Sequence, residues 1–236
     1  PAPHEVRFSA PGVLRAGLRA IEPGRKTWRA LVVDRVFGPY GCGEGMLDMV
    51  RGELPDGSVV TGCGFESFES KLAAERPDLV VITPRSQLYP SASGKALIDF
   101  ARAGGVIAEF GGMPFYKGPD GVKETPASWQ LRRALHFDAQ CWWVKDLPAV
   151  PKKIQVRPTA AAADVICPER GFEGQRFVSD RFLGPGDTFT PLLKATWTNG
   201  VDCVAAAAIR YAGGGGIVVD GLFGSVAGVY SEREQA

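Results

Sequence analysis

The chain of 236 residues is 45% hydrophobic and 22% charged, an ordinary balance for a globular protein and enough to bury a proper core as one large domain or a domain with an appendage. Its 27 Lys and Arg nearly cancel its 26 Asp and Glu, and no run of one sign marks a surface for nucleic acid or an anionic membrane. No apolar stretch approaches the roughly 20 residues that span a bilayer.

The sequence opens on Pro1 rather than an initiator Met, which reads as a processed or excised product with an upstream signal or domain left open. Residues 1–27 form a lead-in segment: Leu14, Leu18 and Ile21 fall at helical spacing, and Pro23 and Gly24 close it. It is expected to end a preceding domain or to strap across the fold. From Trp28 a single α/β domain is expected to run to residue 236. Ala30 to Asp34 make a first strand, and the loop Gly38 to Gly45 leads into a helix carrying Met46, Leu47, Val50 and Leu54 on one face. Val59 and Val60 start a short second strand, and Phe65, Phe68 and Leu72 mark a helix that ends before Pro77.

Asp78 to Ile82 is an apolar, β-branched run suited to a strand covered on both faces. Pro90 and Ser91 open a helical pattern with Leu97, Phe100 and Ala101 on one face, which Gly104 and Gly105 stop. Val106 to Phe110 is the next strand, broken at Gly111, Gly112, Met113 and Pro114. Strand, helix and strand joined by short loops make a βαβ unit, so the sheet is predicted to be mostly parallel and doubly wound.

Beyond it, Pro126 to Phe137 is predicted to be helical and Trp142 and Trp143 lie in a segment of strand character. Residues from about 138 to 200 are rich in Pro and Gly and read as an irregular insertion or lid. Order returns in Cys203 to Tyr211 and Ile217 to Asp220, a β-hairpin about the turn Gly213 to Gly216. The five cysteines are odd in number with no CxxC spacing, which argues against a zinc site and a disulfide framework. No cofactor is expected.

The stretch Pro-Asp-Leu-Val-Val-Ile-Thr-Pro at 77–84, the helix ending in Ala103, Gly104 and Gly105, and Val-Ile-Ala-Glu-Phe-Gly-Gly at 106–112 together resemble the class I glutamine amidotransferase-like superfamily. The C-terminal hairpin is similar to those of members found as modules in sugar-processing proteins, including the middle domain of some β-galactosidases. The resemblance covers Arg29 to Phe137 and Asp202 to Gly224 and implies a flavodoxin-like fold. Active members place a Cys nucleophile in the elbow after the strand that corresponds to 106–110. Here the matching position is Gly111, or Gly112 if the alignment slips by one. They also supply a His near the elbow or after a late strand, and neither His4 nor His136 stands at a matching place. The resemblance therefore implies a module without the family's catalysis.

Ligands of open parallel sheets bind outside the carboxyl ends of the strands. The residues expected there are Asp34, Thr83, Arg85, Ser86, Gln87, Glu109, Gly111 and Gly112. Arg85 would hold an anionic or hydroxyl group and the Gly111 and Gly112 amides would donate hydrogen bonds, or Arg85 and Glu109 would simply satisfy one another. The loop 38–45 carries Cys42 with Glu44 and Asp34 nearby, and reads as a tight turn, a ligand loop or the site of a relocated thiol nucleophile. Tryptophans at 28, 129, 142, 143 and 197 suit either packing or the stacking of sugars. The leading expectation is a non-catalytic, structural or ligand-binding part of a larger carbohydrate-related protein, with a small polar or sugar-like ligand and neighbouring domains or subunits as partners. The alternative is a hydrolase using Cys42 or the carboxylates Asp34 and Glu109 as acid and base.

Overall fold

The computed structural model describes residues 10–34, 43–82, 94–110, 126–141, 155–167, 173–174, 176–196 and 202–223. Helix α1 (Ala10–Ile21) is followed by β1 (Arg29–Asp34), α2 (Gly43–Glu53), β2 (Val59–Gly64), α3 (Phe68–Glu75), β3 (Leu79–Ile82), α4 (Gly94–Arg102) and β4 (Val106–Phe110). Then come α5 (Pro126–Ala134), β5 (Asp138–Cys141), β6 (Val156–Pro158), β7 (Glu173–Gly174), β8 (Arg176–Ser179), β9 (Thr188–Thr196), β10 (Asp202–Arg210), β11 (Gly216–Asp220) and β12 (Leu222–Phe223). The strand and helix alternation expected from the apolar runs is thus present through β4.

Eight strands form one sheet in the order β2-β1-β3-β4-β11-β10-β9-β6. The first five run parallel to one another, and β10, β9 and β6 continue the sheet antiparallel. Every residue of β3, β4 and β11 is buried. Strands covered on both faces have no solvent side, which is why these runs lack the polar alternation of a half-exposed strand. One face packs α1 and α2 through Val13, Leu14, Leu18, Met46 and Val50, and the other packs α3, α4 and α5 through Phe68, Leu97, Ala101, Leu131 and Leu135.

Helix α1 straps across the sheet, over β9, β10 and β11. It comes close enough there that a Cβ on Gly17 would stand 2.5 Å from Cγ2 of Val218. Arg15 joins it to α2 through Glu53 at 2.7 Å.

Two readings of the sequence require correction. The stretch taken as an irregular insertion contributes β6 and the nine-residue β9 to the edge of the main sheet. Antiparallel addition needs only short extended segments with one apolar face, and Leu192, Leu193 and Ala195 provide it. The helix expected to reach Phe137 ends at Ala134, because His136 turns left-handed at φ 59° and Phe137 then donates its N–H back to the Arg132 carbonyl at 3.1 Å.

Candidate functional site

The carboxyl ends of the parallel strands deliver three acids. Asp34 closes β1, Asp220 closes β11, and Glu109 stands one residue before the end of β4. All three are buried.

Register decides which of them can cooperate. Val33, Ile82, Glu109 and Val219 form one row across β1, β3, β4 and β11. Val33, Ile82 and Val219 belong to the core beneath α3, α4 and α5, so Glu109 leaves the sheet on that face. One residue further on, Asp220 is paired with Phe110, which lies in the core beneath α1 and α2. Asp34 follows Val32, a member of that same core, by two positions and shares its side. Asp34 and Asp220 therefore occupy one face, three strand spacings or roughly 14 Å apart, and Glu109 occupies the other.

This arrangement corrects the expected partnership of Asp34 and Glu109 as acid and base. Carboxylates that act on one glycosidic bond flank it within about 10 Å on either side of the substrate. Here β3 runs between their strands and the sheet itself separates the side chains. A one-residue difference in position along paired strands reverses the face, and that offset is invisible until the strands are paired.

Electrostatics sharpens the difference. Oε2 of Glu109 has no hydrogen-bond partner among the described residues. Burial first, and the nearby Asp220 carboxylate second, hold the Glu109 carboxyl well above the usual glutamate range. Burial and the neighbouring charge thus favour the protonated form of this carboxyl over the carboxylate that a general base requires. Asp220 Oδ1 accepts the Leu222 N–H at 3.0 Å, which closes the turn out of β11.

Two thiols lie near these ends. Cys167 packs against the α1 face, and burial with the Asp220 charge pushes its thiol up to about 11. Cys63, in the row of Glu109 through Val33, is likewise pushed up to about 11, by burial and then by Glu75. Neither is a thiolate nucleophile at neutral pH. Among the described residues no three His, Cys, Asp or Glu side chains are grouped to hold a metal ion.

Of the other expected residues, Cys42, Thr83, Arg85, Ser86, Gln87, Gly111, Gly112, Trp142, Trp143 and Trp197 lie outside the described residues. Trp28 is buried against Arg25, whose guanidinium stacks 4.3 Å from the ring centre, so it is a packing residue. Sequence reasoning missed Asp220 and Cys167 as members of this end of the sheet. A signal for Asp220 exists: Ile-Val-Val-Asp at 217–220 repeats the pattern of Leu-Val-Val-Asp at 31–34, an apolar run ending on an acid.

The sheet and its two helical layers define an α/β protein with a large, mostly parallel sheet extended by antiparallel strands. No family model and no curated protein matches the chain. Among solved structures it is similar to a β-galactosidase from Rahnella sp. R3, with a TM-score of 0.53 and 14% identity over 84% of this chain and 29% of that one. The likeness is one of fold, and the chain spans less than a third of that structure's length.

Proposed function

We propose that this chain is a flavodoxin-like, amidotransferase-like module that performs no catalysis and serves as a structural or small-polar-ligand-binding part of a larger carbohydrate-related protein. The observation that carries the proposal is the state of the strand ends. The parallel strands follow the order second, first, third, fourth, fifth, which supports the flavodoxin-like reading. At the crevice this order creates, the acid on the fourth strand is sunk, with its carboxyl held well above the usual range, and among the described residues the thiols near the strand ends are pushed up to about 11. Gly111 stands where the resemblance would place a nucleophile. The similarity to part of a β-galactosidase structure supports a place within a larger protein.

Incubation of the purified chain with chromogenic amides, esters and galactosides tests this. The expected rate is that of buffer alone. Turnover that disappears in a Glu109→Gln or Cys42→Ala variant of unchanged fold would overturn the reading and favour a hydrolase.

A further inference from the structure

At the opposite end of the sheet, where the parallel strands begin, two helices finish with the same capping arrangement and different residues. In α4 the Gly105 N–H returns to the Phe100 carbonyl at 3.0 Å and the Gly104 N–H to the Ala101 carbonyl at 3.1 Å, with Gly104 left-handed at φ 91°. In α5 the Phe137 N–H returns to the Arg132 carbonyl at 3.1 Å and the His136 N–H to the Arg133 carbonyl at 3.2 Å. There the left-handed position is His136. This conformation is natural for glycine and strained for a residue with a side chain, and such strain persists where the surroundings hold it and often marks a site.

What holds it is Asp187. Its carboxylate is nearly fully buried and lies 2.6 Å from Nδ1 of His136. The same carboxylate accepts the Gly184 N–H at 2.8 Å and the Ala212 N–H at 3.0 Å, so it cannot swing away. The Asp187 carboxylate is an acceptor there, so the tautomer this bond selects has the proton on Nδ1 and the lone pair on Nε2. Tyr211 meets the ring edge-on at 5.3 Å and is itself anchored by its hydroxyl to the Leu135 carbonyl at 2.9 Å. A Cβ on Gly184 would stand 2.9 Å from Cε1 of the ring, so that glycine leaves the space the imidazole occupies. Nε2 has no partner among the described residues, and the side chain is 40% exposed.

The imidazole borders a cleft of about 270 Å³. Ala101, Ala134 and Pro185 line it with apolar surface, and Arg102 lines it as well. A fixed acceptor in a cleft that is lined by an arginine and by apolar side chains suits a ring of hydroxyls: each hydroxyl both donates and accepts, and the carbon face of the ring stays dry. We infer that this cleft binds a neutral polyhydroxylated ring of the pyranose class, with His136 Nε2 accepting a ligand hydroxyl and Asp187 acting as the positioning residue that holds the imidazole. The site lies at the end of the sheet remote from Glu109, so it stands independently of the reading above.

The test is an imidazole-selective ¹⁵N NMR titration of the full chain with methyl β-D-galactopyranoside, followed at the His136 nitrogens. Saturable movement of the Nε2 resonance is expected in the native chain and in a Glu109→Gln variant. Affinity should fall at least about tenfold, or about 1.4 kcal/mol, in His136→Gly and His136→Asn, both of which tolerate the left-handed backbone and are followed through the backbone amides of residues 211–214. No saturable shift would overturn the inference. So would binding that survives both His136 variants unchanged, or a site that responds to inorganic phosphate and not to the glycoside.

Discussion

The buried acid on β4 makes a prediction whose sign is unusual. A carboxyl whose folded-state pKa is raised contributes its stability in full below the unfolded value, near 4.5, and loses it as pH rises toward the folded value. In that window the unfolded chain releases the Glu109 proton while the folded chain retains it. Each pH unit then lowers stability by about 1.4 kcal/mol until the folded group ionises. Glu109→Gln keeps the shape and a hydrogen-bond donor and removes the titration. The variant should therefore be more stable than the native chain at neutral pH and close to it near pH 4.5, the gap widening with pH. Urea unfolding followed by tryptophan fluorescence at several values between about pH 5 and about pH 7 measures it directly. Parallel stability profiles for the two chains across that range would mean that the Glu109 carboxyl is not raised in the fold, and the argument from its burial would fail.

Three further outcomes test the packing. Gly17→Ala gains about 1 kcal/mol of helix propensity but drives a methyl 2.5 Å from Val218, buried in a central strand. Overpacking of about 1–3 kcal/mol should outweigh the gain, whereas Gly52→Ala in α2, with nothing within 4 Å, should stabilise. If both substitutions stabilise alike in urea titrations, α1 does not lie on β11. Cys63 and Cys167, pushed to about 11, should alkylate slowly at neutral pH in the native chain and rapidly once unfolded, as read by peptide mass spectrometry. Fast native modification of either would contradict the described burial. Asp187 opposes its own burial with hydrogen bonds from Ala212, His136 and Gly184, which lower its pKa below 3.8. Its stability is present above that value and lost as pH falls through the lowered one. Asp187→Asn should cost about 1.5–3 kcal/mol at neutral pH, with the difference shrinking in acid. A cost that does not change with pH would assign the loss to shape rather than charge.

Periodicity alone settled the helices and buried strands of the first half. Leu-Val-Val at 31–33, Leu-Val-Val-Ile at 79–82 and Val-Ile-Ala at 106–108 can be apolar without interruption only where both faces are covered, and that requirement is local. The hairpin about Gly213 to Gly216 was equally plain from its turn residues. Other features depended on partners distant in the chain. β9 and β6 extend the sheet because β10 offered an open edge, which nothing within 156–158 or 188–196 announces. Asp34 and Glu109 look like a pair in the sequence, each ending an apolar run. Only strand pairing shows that they leave opposite faces, since one residue of register reverses a side chain. His136 reads as an ordinary histidine beside Leu135 and Phe137. Its left-handed backbone and its bond to Asp187, 51 residues away, exist only once α5 and the start of β9 meet, because orientation and burial belong to the assembled fold and not to the residue.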